Sequence, residues 1–279
     1  MNLKPLINGF ERTAAEHIKA QQGDYILNGL LHCHKCNTPK QCRVMILGEE
    51  RTPMCLCKCE IERREREEEE RKRVEFMRKI QELRRMGFPE SEMQDWTFAN
   101  DDLSNERITK AMQNYVDNFD SLRKTGKGLL LYGTVGTGKT FAACEVANAL
   151  IDKGFPVLVT SFPRLTNTIQ GMFDGKQDYI DGLNRFQLLV IDDLGTERNS
   201  EFMQEMIYNI IDSRYRSGLP FIITTNLTID EIKKPGDIGR TRIYDRILER
   251  CFPIEVSGAS RRRKAVREGY EDMKNLLGL

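Results

Sequence analysis

The sequence predicts an α/β protein in which a mostly parallel, five-stranded sheet is flanked by helices and preceded by a small cysteine-rich module and a charged linker helix. Five short apolar runs alternate with longer helix-like stretches beyond residue 100, which is typical of βα units around a buried sheet. Six of the eight cysteines lie within 33–59, and 13 of the 14 residues in 60–73 are charged. The apolar runs are 128–132, 157–160, 188–191, 221–225 and 254–256.

The composition limits the class of protein. With 279 residues, 39% hydrophobic and 30% charged, the chain can bury one substantial core and an accessory module, which excludes disordered, collagen-like and disulfide-scaffold proteins. The net charge is +1, so a nucleic-acid surface must come from local clusters of basic residues. No apolar run reaches the roughly 18 to 20 residues that span a bilayer, and the first residues do not form a signal peptide. We therefore expect a cytoplasmic protein with no membrane partner, whose cysteines are thiols or metal ligands.

Three segments are predicted along the chain: an N-terminal helix with the cysteine-rich module in 1–60, a charged helical linker in 61–95 and the sheet-containing domain in 96–279. In the linker, apolar residues at helical intervals follow the charged run, and Gly87-Phe88-Pro89 is expected to end the helix. A solvated connecting helix is the simplest interpretation, and a partner-binding helix is the alternative. The first helix is predicted from apolar residues spaced close to four apart: Leu6, Phe10, Ala14 and Ile18.

The cysteine spacing predicts a zinc site. A C-x-x-C pair is followed, after 18 residues, by a C-x-C-x-C run, and two thiolate pairs on turns form the tetrahedral site that Zn²⁺ prefers. Zinc contributes about 10 to 16 kcal/mol of folding free energy in zinc-finger peptides. A segment with so few apolar residues needs a stabilising cross-link of this kind in order to fold. Unliganded buried thiols and a redox pair are the alternatives. The predicted ligands are Cys33, Cys36, Cys57 and Cys59, with Cys55, Cys42, His32 and His34 in reserve.

A phosphate-binding loop is the most specific motif of the sequence. It follows the apolar run 129–132 and precedes a helix-forming stretch, which is the strand-to-helix context that a P-loop requires. Glycines let the backbone wrap phosphate oxygens, Lys139 is expected to reach the β- and γ-phosphates, and Thr140 is expected to ligate Mg²⁺. A glycine-rich turn without nucleotide is the alternative. Trp96 and Phe98 are expected to anchor the linker or to pack near the adenine, and stacking on DNA bases is the alternative. The predicted nucleotide-binding residues are Gly133, Thr134, Val135, Gly136, Thr137, Gly138, Lys139 and Thr140.

Polar residues at the ends of two further predicted strands extend this site. Asp192 and Asp193 follow the run 188–191. Asp192 is predicted to hold Mg²⁺ as the Walker-B acid, and Asp193 is predicted to orient or deprotonate the attacking water. Asn226 follows the run 221–225 and is predicted to face the γ-phosphate, and an Asn that caps the following turn is the alternative. Together these residues predict an ATPase that uses ATP and Mg²⁺.

These motifs resemble those of AAA+ ATPases, and more narrowly the DnaC/DnaI/IstB group of bacterial and phage helicase loaders and transposition helpers. The resemblance covers residues 95–270 and rests on the segments 133–140, 188–197, 222–227 and 242–247. It implies an AAA+ P-loop ATPase core with the strand order of that family, and it makes Asn226 the sensor 1 residue. A zinc module before the core resembles the loaders of the DnaI type, in which the N-terminal domain meets the replicative helicase.

The resemblance also gives roles to the basic segment 239–267, which holds nine Lys or Arg and three acidic residues. Arg242 and Arg246 are four residues apart, so on a helix they share one face. The family resemblance places in this segment an arginine finger that enters the neighbouring subunit's site, with Arg246 favoured and Arg242 as the alternate. Arg262 is the sensor 2 candidate, and Arg261, which stands where the family has Tyr, is the alternate.

The function predicted from these features is ATP-dependent loading of a hexameric, DnaB-type replicative helicase in the initiation of DNA replication. The N-terminal module would bind the helicase, and the ATPase, self-assembled through the arginine finger, would bind single-stranded DNA. The basic run 261–264 is one candidate for the DNA contact, and a solvated basic tail is its alternative. An IstB-like helper of a transposase and a nucleotide-switched adaptor with little turnover are the alternative functions.

Overall fold

The computed structural model describes residues 20–195, 201–260, 270 and 273–278. The chain divides into two compact units, residues 1–77 and residues 78–279. The predicted helix around residues 6–18 and the sensor 2 candidates Arg261 and Arg262 lie outside the described residues. Among the described helices, none combines the length and the apolar character that a membrane crossing requires.

The first unit contains two small antiparallel hairpins and very little apolar core. Strand β1 (Tyr25–Leu27) pairs with β2 (Leu30–His32), and β3 (Val44–Ile46) pairs with β4 (Glu49–Arg51). Of the described hydrophobic residues in this unit, only Cys33 and Cys57 are buried. Because so little apolar surface is removed from water, packing alone gives this unit little stability.

Helix α1 (Lys58–Gly87) begins between the last two cysteines of the module and ends at Gly87, as Gly87-Phe88-Pro89 predicts. Its charged run is exposed and carries intrahelical ion pairs, such as those from Arg63 to Glu60 and Glu67 at 2.5 and 2.7 Å. Exposed pairs of this spacing contribute little to stability, because water screens the charges. They agree with the prediction of a solvated connecting helix.

The second unit contains the predicted five-stranded parallel sheet, in the order β6-β7-β8-β5-β9. Two 3₁₀ turns, Ser91–Asp95 and Phe98–Asn100, precede it. The elements that follow are α2 (Glu106–Asp117), α3 (Phe119–Thr125), β5 (Gly128–Tyr132), α4 (Lys139–Asp152), β6 (Val157–Ser161), α5 (Phe162–Gln170), α6 (Lys176–Gly182), β7 (Leu188–Leu194), α7 (Glu201–Ser217), β8 (Phe221–Thr225), α8 (Ile229–Lys233), α9 (Ile238–Arg250) and β9 (Cys251–Glu255).

Helices cover both faces of this sheet. Successive residues of a strand point to opposite faces, so Leu129 and Leu131 of β5 pack in the cluster with α2, α3 and α4, and Leu130 packs with α5, α7 and α9. This is why the strands appear in the sequence as continuous apolar runs. The α/β fold with a five-stranded parallel sheet is therefore confirmed.

The last strand differs from its prediction. The apolar run predicted a strand at 254–256, whereas β9 runs from Cys251 to Glu255 at the edge of the sheet. Phe252 is largely exposed there, and Pro253 lacks the N–H group that a central strand would use. Proline is tolerated in an edge strand, and half-exposed residues do not form an apolar run, so the pattern concealed the first half of β9.

Candidate functional site

The loop at residues 133–138 lies between β5 and α4, at the carboxyl edge of the sheet. Gly133, Gly136 and Gly138 have φ angles of 139°, 85° and 96°, in a region that side chains with a Cβ rarely enter. At Gly133, a Cβ atom would also lie 2.5 Å from the carbonyl oxygen of Val256. The glycines are therefore required for the path of this loop into the N-terminus of α4, where backbone N–H groups favour an anion.

Lys139 is buried in the first turn of α4, and its ammonium group turns back to the loop. Its Nζ donates to the carbonyl oxygens of Gly133 and Thr134 at 2.9 and 2.8 Å and to Oδ1 of Asn226 at 2.9 Å. The structure thus brings together the two side chains that were predicted to face the γ-phosphate. A triphosphate would offer anionic acceptors to the same ammonium group, and such charge-assisted hydrogen bonds are the stronger ones.

Asp192 is held at the end of β7 by two hydroxyl groups. The hydroxyl of Thr140 donates to its Oδ1 at 2.9 Å, and the hydroxyl of Thr224 donates to the same oxygen. Burial raises the pKa of Asp192, and the nearby Asp193 carboxylate acts in the same direction. Oxygen ligands from a threonine and a carboxylate suit Mg²⁺, so the residues present fit the predicted metal. Thr224 was not identified from the sequence, because one threonine in an apolar strand gives no signal of its own.

Asp193 is placed by an irregularity of β7 that the sequence did not predict. The register between β7 and β8 shifts between Ile191 and Leu194, and Asp193 has a φ of 59°. Its N–H donates to the Thr224 hydroxyl at 3.1 Å. A bulge of this kind re-aims a side chain, and here Asp193 lines the same cavity as Asn226.

The cavity beside the loop has a volume of about 250 Å³. Its polar side carries the loop residues with Asp193 and Asn226, and its apolar side carries Trp96 and Phe141. The two rings lie 5.9 Å apart with an angle of 31° between their planes. One cavity therefore combines groups that can bind phosphates with aromatic faces on which a nucleobase can stack.

None of the arginines in the described residues lines this cavity. Arg246 lies on α9 and is bound within its own subunit: its Nη2 lies 2.7 Å from Oδ1 of Asp212, and its guanidinium lies over the ring of Tyr208 at 4.4 Å. Its side chain is 24% exposed. Arg242, one turn earlier, is exposed to solvent. An arginine for the γ-phosphate, in addition to Lys139, would have to come from another subunit or from residues outside the described ones.

The four predicted zinc ligands lie together in the first unit. The sulfur atoms of Cys33, Cys36, Cys57 and Cys59 all lie within 4.8 Å of one another. The distance from Cys59 to Cys33 is 3.6 Å and that from Cys59 to Cys57 is 3.5 Å. In a tetrahedral site with Zn–S bonds of about 2.3 Å, the sulfurs are about 3.8 Å apart. The donor set therefore fits zinc, and Cys42 and Cys55 are outside this cluster.

The pKa values of Cys36 and Cys59 are shifted by hydrogen bonds within the cluster and around it. The Thr38 hydroxyl and the N–H of Cys59 lower the pKa of Cys36 to about 5, because they stabilise its thiolate. The pKa of Cys59 is raised to about 12. The largest cause is the hydrogen bond between its sulfur and that of Cys57, and the second is the hydrogen bond with Cys36. Four thiolates so close together repel one another, and a divalent cation at their centre removes that repulsion.

Lys40 is also buried beside the cluster, where its Nζ lies 2.6 Å from Asp24 Oδ2.

Comparison with known proteins gives a consistent set of similarities. A sequence model of the family described as "IstB-like ATP binding protein" matches residues 60–269. The replicative helicase loader DnaI of Bacillus subtilis is 25% identical over 205 residues, which is 68% of this chain and 66% of that protein. The replicative helicase loader DnaC of Escherichia coli K12 is 28% identical over 144 residues, which is 50% of this chain and 56% of that protein.

A solved structure supports the fold. The crystal structure of DnaI aligns with 61% of this chain and 96% of its own, with a TM-score of 0.53 and 23% sequence identity. The alignments with the two loaders above span only 56 to 66% of the length of those proteins. The similarity to the DnaC/DnaI/IstB group, inferred from the motifs, is confirmed.

Proposed function

The chain belongs to the family of IstB-like ATP-binding proteins, and on this basis we propose that it hydrolyses ATP in order to load a replicative DNA helicase onto single-stranded DNA. The observation that supports the proposal is that one cavity is lined by Lys139, Thr140, Asp193 and Asn226. Asp192 is hydrogen-bonded to Thr140 beside it. A nucleotide switch without turnover does not need this hydrolytic set. We propose a replicative helicase as the partner because the chain is similar to the helicase loaders DnaI and DnaC.

The positions of these groups support the following reaction. Thr140 and Asp192 would hold Mg²⁺, which when bound draws negative charge from the β- and γ-phosphates. Asp193 would orient a water and accept its proton as the oxygen attacks the γ-phosphorus, while the bond to the β–γ bridging oxygen breaks and ADP leaves. Lys139 and Asn226 would hold the γ-phosphate in line with that water. In this proposal each side chain has one task.

The helicase contact is proposed for the first unit. The family match begins at residue 60 and so leaves the cysteine module outside the family core. Each hairpin of that module exposes large apolar side chains, among them Ile26, Met45 and Leu47. Exposed apolar groups of this size favour contact with another protein. A DnaB-type hexamer is the partner that we propose, with zinc at the four cysteines keeping the module folded.

The DNA contact is proposed for the second unit. Phe173 is fully exposed in the turn between α5 and α6, and the ammonium group of Lys176 lies 6.0 Å from the centre of the exposed Phe202 ring. Aromatic faces beside cations stack on unpaired bases and attract the phosphate backbone. These residues are the described candidates for single-stranded DNA, in addition to the basic run 261–264, which lies outside the described residues.

A loading assay tests the proposed function. The full chain, the replicative hexamer and circular single-stranded DNA are combined, and helicase retained on the circle is counted with ATP, with ADP and without nucleotide. We expect retention to require the chain and to differ between ATP and ADP. Binding of duplex DNA and a transposase, with no effect on the helicase, would favour the IstB-like alternative. Nucleotide-dependent partner binding without single-turnover hydrolysis would favour the adaptor.

The arginine finger gives a prediction about self-assembly. Arg246→Ala is expected to bind ATP normally and to hydrolyse it about 10³-fold more slowly or worse, because arginine fingers contribute about 10³ to 10⁵ in turnover. In a mixture with Asp193→Asn subunits, activity should reappear, since some sites then combine Asp193 from one subunit with Arg246 from its neighbour. Steady-state hydrolysis across mixing ratios measures this effect.

Asp212→Asn is the matched control, because it removes the ion pair of Arg246 within the subunit and keeps the guanidinium. A finger in trans predicts that Asp212→Asn remains active. If Asp212→Asn and Arg246→Ala lost activity equally, with no recovery on mixing, Arg246 would serve the packing of α9. The exposed Arg242 would then be the finger candidate to test.

A further inference from the structure

The Trp96 half of the cavity's apolar wall belongs to a short segment that precedes the sheet. The 3₁₀ turn Ser91–Asp95 has no side-chain cap and is followed by Trp96, whose ring lies against Phe141 at the edge of the cavity. Met93 and Trp96 are only partly buried against the core. A short turn with so little apolar contact needs another anchor if Trp96 is to keep one position.

Asn148 supplies that anchor from the middle of α4. Its side chain is 1% exposed, and its Nδ2 lies 2.9 Å from the carbonyl oxygens of both Met93 and Trp96. A third carbonyl, that of Cys144, lies at 3.1 Å. The amide group of Asn148 therefore joins the middle of the turn and the residue that follows it to the helix that begins at the phosphate loop.

Arg84, in the last turn of α1, fixes the orientation of this amide. Its Nη1 donates to Oδ1 of Asn148 at 2.7 Å, and its Nη2 lies 2.5 Å from Oδ1 of Asp152. A guanidinium only donates hydrogen bonds, so the oxygen of Asn148 must face Arg84 and its NH₂ group must face the carbonyls. Arg84 thus selects the amide orientation that holds Trp96.

We infer that Asn148 and Arg84 are positioning residues for recognition of the nucleobase: they hold Trp96 where an adenine can stack, and they leave triphosphate binding to the loop. This inference rests on the proposed function, since it assumes a nucleotide in the cavity. Neither residue contacts the phosphate loop's predicted ligand groups through the bonds described above. Loss of the anchor should therefore weaken binding of the base and spare binding of the phosphates.

The experiment compares ATP with inorganic tripolyphosphate, each with Mg²⁺, by calorimetry on the full chain. Stacking on an aromatic side chain contributes about 1 to 3 kcal/mol per base, which corresponds to about 5-fold to 150-fold in affinity. Asn148→Leu is expected to lose ATP affinity within that range and to bind tripolyphosphate as the wild type does. Arg84→Met is expected to show the same selectivity with a smaller loss of ATP affinity.

Tryptophan fluorescence gives a second measurement. Because Trp96 is the only tryptophan, its fluorescence should respond to ATP and not to tripolyphosphate in the wild type.

Thr166→Val is the matched control, because it removes a fully buried helical hydroxyl that bonds only within α5. It should leave both affinities unchanged. Asn148→Leu would overturn the inference if it bound ATP as the wild type does, or if it lost ATP and tripolyphosphate equally while unfolding at the wild-type temperature. Failure of the assumption that the cavity takes a nucleotide has a different result: in that case the wild type itself binds neither compound. Failure of helicase loading alone would appear in the loading assay and would leave both wild-type affinities measurable.

Discussion

Replacing Cys33 and Cys57 together by serine is expected to abolish zinc binding and to unfold the N-terminal module. Both residues are buried in the cluster of four sulfurs, and serine cannot supply the thiolates that would hold the metal. Metal binding in zinc-finger peptides contributes about 10 to 16 kcal/mol, far more than the few buried apolar groups of this module can replace. Metal analysis of the purified protein and hydrogen exchange over residues 20–57 measure the two effects.

Cys42→Ser is the control for this experiment, because Cys42 is an exposed cysteine outside the cluster. It should retain one zinc per chain and the exchange protection of the wild type. ATP binding by the second unit should survive in both variants. A wild-type protein that is folded but free of zinc, or a double serine variant that retains the metal, would contradict the zinc assignment.

Acidification is expected to release the metal. Zinc binds thiolates, so protons compete with it, and the affinity falls as the pH falls. Cys36, whose pKa is lowered to about 5, stays ionised over a wide range. Cys59, whose pKa is raised to about 12 without metal, must give up its proton for zinc to bind. A chromogenic chelator followed during a pH titration should report faster release of zinc at lower pH.

Asp193→Asn is expected to retain ATP binding and to lose hydrolysis by about 10² to 10⁴-fold, the usual contribution of a general base. The substitution changes one oxygen to an NH₂ group and keeps the size of the side chain. Asparagine also tolerates the positive φ that the bulge in β7 requires, so the backbone should remain in place. Single-turnover hydrolysis measures the chemical step, and calorimetry with Mg·ATP measures binding.

Asp174→Asn, at an exposed loop carboxylate away from the cavity, is the matched control and should hydrolyse ATP at the wild-type rate. If Asp193→Asn hydrolysed ATP normally, Asp193 would not be the base. Loss of ATP binding in that variant would instead indicate that the bulge had collapsed and that Asp193 has a structural role.

The parts of the molecule that follow from local patterns could be predicted from the sequence. Four of the five strands are continuous apolar runs because both faces of the sheet are buried, and the phosphate loop has a fixed spacing between a strand and a helix. The four cysteines of the cluster could be predicted as one group because C-x-x-C and C-x-C turns present thiols in pairs. Edge strand β9 was located only in part, since its exposed Phe252 and its proline interrupt the apolar pattern.

The parts that depend on contacts between distant segments could not be predicted. Arg84 and Asn148 are 64 residues apart, and each, taken alone, is an ordinary helical residue. The bulge that aims Asp193 depends on the pairing of β7 with β8 and on a hydroxyl from Thr224. The basic segment indicated a cation for a neighbouring subunit, but only the structure shows that Arg246 is stacked on Tyr208.

Titration of the full chain with Mg·ATP, for the wild type and for Lys139→Ala, tests most directly the claim that the loop at 133–140 binds a triphosphate. Lys139 is buried, and removing a buried charged partner costs about 2 kcal/mol or more, which is about 30-fold in affinity. We expect the wild type to bind one ATP per chain and Lys139→Ala to bind at least about 30-fold more weakly. A wild-type chain that does not bind ATP, or a variant with undiminished affinity, would contradict the account.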